Sequence, residues 1–183
     1  MTASSALHPT LWRTCRVLAN RPRLKIFNLL MRTEPLAVSA VAERLNFTVP
    51  AASQCLRALE ARGILTSRRV SRRVDYRLNT DAATPLAAPL RVTFQRNSTP
   101  IETVFKLATA FTHPRRVEIY RALAATSRTQ GQLQAFTRIS GRALLRHLGK
   151  LEARDFIQLR EDTYHVIERT DPFGRALADL ALG

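Results

Sequence analysis

Cysteine, lysine and carboxylate are the scarce chemistries of this 183-residue chain. Two cysteines, Cys15 and Cys55, are too few for a disulfide framework or a metal quartet. The four histidines, His8, His113, His147 and His165, are scattered without metal-ligand spacing, so no metal site is expected. There is no Gly-rich phosphate loop, no Ser/His/Asp order tied to an elbow, and no pair of carboxylates on one face. An enzyme is therefore not expected, nor is a cofactor. No apolar run approaches the roughly 18–20 residues that span a bilayer, and residues 1–9 show no basic segment followed by an apolar one. These absences lead us to expect a cytoplasmic chain with no membrane partner.

What is abundant is arginine. The chain has 29 basic and 14 acidic side chains, net +15, and only Lys25, Lys106 and Lys150 are lysines. Residues 1–84 hold 14 basic and 5 acidic groups, whereas residues 101–183 hold 13 and 9. The excess is concentrated early. The planar guanidinium fork suits phosphates and guanine edges better than an ammonium does. A genome rich in arginine codons is the plain alternative.

The chain also repeats itself. Leu18–Leu30 recurs as Phe111–Leu123 at a shift of 93, and Leu59-Glu60-Ala61-Arg62 recurs as Leu151-Glu152-Ala153-Arg154 at a shift of 92. Two similar offsets predict a duplicated, domain-sized unit rather than a solenoid. The expected division is a domain over 8–80, a proline-containing connector with at most one short helix over 81–98, and a divergent second copy over 99–183. In the first copy, Thr10, Asn20, Ser39 and Thr48 are expected to cap successive helices, with Pro22 in the first turn of the second. The third ends at a turn, Asn46-Phe47, and the fourth runs from Pro50 to a stop at Gly63. Strands over 64–70 and 74–78 around Ser71-Arg72-Arg73 make a hairpin. In the second copy, Thr99 with Glu102 and Thr129 with Gln132 are expected capping boxes. Ser140 and Asp171 are further expected caps, and the hairpin is shorter. The fold class is mainly α with small β-wings, as two tandem winged helix-turn-helix domains.

On the helix 50–62, Ala52, Leu56 and Leu59 share one side at 100° per residue. Ser53, Gln54 and Arg57 fall on the other, with Thr48 at the start. A hydroxyl, an amide and a guanidinium on an exposed face suit base edges and phosphates in a major groove. Arg68, Arg69, Arg72, Arg73 and Arg77 crowd the following hairpin, where they would clamp a phosphate backbone. The second copy is less suited: Leu145 stands for Ser53, Gly149 for Arg57, and Glu161-Asp162 sits at the hairpin tip.

Leu18–Leu30, Leu36–Leu45, Ser53–Leu65 and Arg68–Leu78 together resemble the ArsR-type winged-helix regulators over most of residues 10–79, and more weakly over about 100–168. The resemblance implies a bacterial or archaeal transcriptional regulator, a repressor, that binds double-stranded operator DNA as a homodimer. An intramolecular pseudo-dimer is the other arrangement. It also implies duplex contacts from Thr48, Ser53, Gln54, Arg57, Arg68, Arg69, Arg72 and Arg73. Where metal sensors of that family place cysteines, this chain has Ala37 and Ser39. Cys55 stands where the family usually has a recognition-helix histidine, while His147 keeps it in the second copy. A protein-interaction scaffold and a non-specific nucleic-acid binder are the rival readings.

Overall fold

The computed structural model describes residues 10–71, 73–81, 86–96 and 100–183. The chain opens with α1 (Leu11–Leu18) and α2 (Arg21–Leu30). The side chain of Asn20 accepts from the Arg23 amide, and Pro22 occupies the first turn, where a missing N–H costs nothing. A short β1 (Leu36–Ala37) leads into α3 (Val38–Leu45). Asn46 then turns left-handed at φ 53°, and Thr48 caps α4 (Val49–Glu60) by accepting from the Ala51 amide. Gly63, at φ 68°, reverses the chain into β2 (Leu65–Val70) and β3 (Arg73–Leu78). The three strands form an antiparallel sheet in the order β1-β3-β2. Helix, helix, turn, helix and hairpin make a winged helix-turn-helix.

Several expected details differ. Thr10 stands at the start of α1, yet its side chain makes no capping bond. Ser39 is not a cap. Leu36 and Ala37 pair with Tyr76 and Asp75, which holds Ala37 extended, and the helix begins at the next residue, Val38. Arg73 belongs to β3, opposite Val70, so the wing turn is shorter than the expected three residues.

The segment expected as a connector contains α5 (Ala87–Arg96), a ten-residue helix. Leu86 just before it, and Leu90, Thr93 and Phe94 on it, are buried. The Phe94 ring lies 5.1 Å from that of Phe27 on α2, a contact worth about 0.5–1.5 kcal/mol beyond area burial. Next come α6 (Pro100–Ala108) and a 3₁₀ turn, Thr109–Phe111. Both carboxylate oxygens of Glu102 accept from Arg21 on α2 at 2.7 Å, and the expected capping box with Thr99 falls outside the described residues.

The order then recurs: α7 (Pro114–Ala125), β4 (Arg128–Thr129), α8 (Gln130–Thr137), α9 (Gly141–Glu152), β5 (Ile157–Arg160) and β6 (Thr163–Val166). His113 accepts from the Arg115 amide as Asn20 does from Arg23, and Arg138 turns left-handed as Asn46 does. Thr129 and Gln132 form the expected capping box. Ser140 precedes α9 without a side-chain bond. Asp171 caps α10 (Pro172–Leu182). Phe111 meets Tyr120 and Phe156 edge-on at 5.3 and 4.8 Å.

One continuous core runs through both halves, from Cys15 and Leu18 to Leu177 and Ala181. Across it α2 packs on α6, where Arg21 meets Glu102, and α5 packs on α6 as well. Helix α1 packs on α6 and the 3₁₀ turn, its positional counterparts, and α5 packs on α10, the helix that follows the second wing.

Candidate nucleic-acid interface

Helix α4 buries Ala52, Leu56 and Leu59 and presents Gln54 and Arg57 to solvent. Ser53 is half-buried, and its carbonyl accepts from Arg57 Nε at 3.4 Å. Thr48 is exposed, with its hydroxyl engaged as the cap. Gln54 and Arg57 are thus the exposed polar ends of this face. No acidic residue occupies the first turn, so the positive end of the helix dipole remains available to an anion.

Three further residues complete the tip: Val49, Pro50 and Ala51 are all exposed. Val49 is 53% exposed. It continues the Ala52, Leu56 and Leu59 stripe by one turn, and so reads as core by periodicity alone. An exposed aliphatic side chain at such a tip is suited to a thymine methyl group. The signal in the sequence was the cap: a helix starting directly after Thr48 must begin at Val49.

The wing divides its arginines between two faces. Opposed residues in a ladder share a face. Arg68 stands opposite Asp75, and Val70 opposite Arg73, while Arg69 stands opposite Val74. Arg68, Arg73 and Arg77 therefore share the outer face with Asp75. Arg69 lies on the face of Ser67, whose hydroxyl bonds Glu60 at the end of α4. All four arginines are exposed. Arg73 Nε lies 3.3 Å from the Asp75 carboxylate, which is largely buried. Arg69 donates to the Ser71 carbonyl, and Arg77 to the Thr66 hydroxyl. One guanidinium of the wing is thus shared with a carboxylate. Arg72 lies outside the described residues.

Residues 20–66 match the winged helix-turn-helix DNA-binding family. That span contains α2, the helix-turn-helix and the first residues of the wing, so the match falls on the half with the greater charge. No curated protein and no solved structure matches the chain.

The corresponding surface of the second half is different. Arg142, Arg146 and Gly149 are exposed on α9, together with Leu145 at 48%. Phe136 and Leu159 are also exposed, and Arg128 stacks 4.5 Å above the Phe136 ring. Each strand of the second wing is four residues long against six in the first. Its two-residue turn is Glu161-Asp162, both left-handed. The His147 ring on α9 lies 4.7 Å from that of His113. Burial and the cations around it push His147 down to about 4, so it adds no charge at neutral pH. Cys15 is buried, which pushes its thiol up and keeps it out of the thiolate form. Cys55 is half-buried beside the core. Among the described residues no group of His, Cys, Asp and Glu could hold a metal ion, and no helix is long and apolar enough to cross a membrane.

Proposed function

We propose that the chain is a transcriptional regulator, a repressor of the ArsR type, whose first half reads duplex DNA. Helix α4 enters the major groove tip first. Gln54 and Arg57 meet base edges, Val49 meets thymine methyls, and Thr48 and Ser53 border the phosphates. Arg68 and Arg69, with Arg72 and Arg73, hold the backbone on either side of the wing. The observation that carries this reading is the pairing of an acid-free helix tip with an exposed arginine wing on the half that matches a DNA-binding family.

The two halves act as a duplicated pair within one chain. In a two-fold interface each surface meets its own copy; α1 on α6 and α5 on α10 support such a pairing, while α2 on α6 departs from it. A single chain then serves as the reading unit and recognises a non-palindromic site. The second half takes a supporting part. Its acidic wing tip repels phosphate, and Leu145, Phe136 and Leu159 favour protein contact over duplex contact.

The test is binding to genomic fragments selected by the protein against shuffled duplexes of equal length, with the mass of the complex measured. One chain per preferred duplex, with tighter binding than to shuffled DNA, is the expected result. Equal affinity for both would leave a non-specific binder, and two chains per duplex would refute the intramolecular pair.

A further inference from the structure

A basic groove lies at the end of α4 opposite its exposed tip. It is an open cleft of about 410 Å³ lined by Trp12, Arg13, Arg16 and Val17 on α1, Arg23 on α2, and Arg62 just past α4. Its volume is that of a small-molecule site. Four guanidiniums line it and no carboxylate does. Residues 1–9, which precede α1, hold no Asp or Glu either.

The hydrogen bonding is incomplete in a specific way. Arg23 donates one terminal nitrogen to the carbonyls of Arg16 and Val17 at the end of α1. The Nε atoms of Arg23 and Arg62 are both withdrawn from solvent and have no acceptor among the described residues. A buried N–H without an acceptor is unfavourable, and so is a cluster of like charges. One anion in the groove would relieve the charge crowding, and a small turn of either guanidinium would bring its Nε to the same anion. The guanidinium carbons of Arg13 and Arg16 lie 5.1 and 5.8 Å from the centre of the Trp12 ring. That stacking draws the two cations toward a flat apolar wall.

We propose that this groove binds a small organic anion, a carboxylate or phosphate monoester carried on a flat ring. The oxyanion sits between the Arg23 and Arg62 guanidiniums, and the ring lies against Trp12. A phosphate of the DNA is the competing anion. The twelve-residue α4 is about 18 Å long, and the groove is at the end opposite Thr48. A concave cleft there suits a free ligand rather than the duplex held at the tip.

Trp12 is the sole tryptophan, so its emission reports on the groove directly. The full chain, without DNA, is titrated with benzoate and with phenyl phosphate. Sodium chloride and inorganic phosphate at matched ionic strength are the controls. A saturable change with either aromatic anion, absent with chloride and weaker with inorganic phosphate, is expected. Which of the two binds more tightly distinguishes a carboxylate ligand from a phosphate ester. Arg62→Gln should weaken the tighter ligand at least tenfold, roughly the loss of one charge-assisted bond. Arg13→Gln, at a position exposed on α1, is the second variant should the first unfold. Responses no different from chloride, or wild-type affinity in every folded variant, would overturn the site. Equal affinity for inorganic and phenyl phosphate would overturn the role of the ring.

Discussion

Replacing Arg68 and Arg69 together with alanine removes two exposed wing guanidiniums, for which no carboxylate lies within ion-pair distance among the described residues. Arg73 differs from them, because its charge is already shared with Asp75 at 3.3 Å. If each of the first two neutralises one phosphate, the log–log salt slope of duplex binding should flatten by about 0.9 per residue, about 1.8 in all. Between 50 and 200 mM salt, one phosphate contact accounts for roughly a 3.5-fold loss of affinity. The double variant should therefore lose about twelvefold less affinity than the parent over that range. Arg73→Ala alone should flatten the slope by less than 0.9, since part of its charge is internally compensated. Asp75→Asn should act in the opposite sense, freeing Arg73 and tightening binding. The measurement is fluorescence anisotropy of a labelled duplex at four or more salt concentrations, with circular dichroism to check the fold. A double variant with the parental slope would refute the wing as a phosphate clamp, and so would Asp75→Asn weakening the complex.

Three other perturbations address separate parts of the molecule. Gln54→Ala should relax base preference at one or two positions, at about 1–3 kcal/mol per lost base contact, while changing shuffled-DNA affinity little; a selection experiment returning the parental sequence preference would reject Gln54 as a reader. Leu90→Ala on α5 should cost about 2–5 kcal/mol, because the side chain is fully buried. Denaturation should still follow one transition by both Trp12 emission and far-ultraviolet dichroism; a second-half transition left in place would show that the core is not continuous. His147 has its folded pKa lowered from 6.5 to about 4, so the unfolded chain binds the extra proton first. Its contribution to stability is complete above about pH 6.5 and is lost as pH falls toward about 4. The pH-dependent loss over that window should be smaller in His147→Gln than in the parent, and identical profiles would contradict the burial of that ring.

Much of the architecture was legible because local rules and packing agree in it. Asn20, Thr48, Thr129 and Asp171 cap helices where their side chains and the following apolar pattern say they should. Ala52, Leu56 and Leu59 lie inward on the expected face of α4. The errors came where tertiary contacts decide. Ser39 lost its role to a strand pairing forty residues distant. Pro89 and the small residues of 81–97 read as a connector with room for one short helix, which α5 is, and its burial through Leu90 and Phe94 rests on elements that only the fold brings near. At the interface, the arginine-rich hairpin read as a single cluster until the register divided it between two faces. Val49 was hidden by its own hydrophobicity. A periodic stripe shows which side of a helix is apolar, but not where the neighbouring core stops.

The asymmetry between the halves bears on why both would be kept in one chain. In a homodimer, a change at the recognition helix or wing appears on both sides of the axis. Here the first half carries Arg57 and a six-residue arginine wing, while the second carries Gly149 and a four-residue wing ending in Glu161-Asp162. Two halves of different sequence in one chain allow such a difference, which two copies of one chain do not. The supporting interactions have stayed alike: His113 caps as Asn20 does, Arg138 turns as Asn46 does, and α5 and α10 meet each other. Local caps and turns are thus matched between the halves, whereas the Arg21–Glu102 pair that joins them and the residues that face outward are not. That pattern is the physical expectation for a pair in which one surface grips a phosphate backbone and the other has been released from doing so.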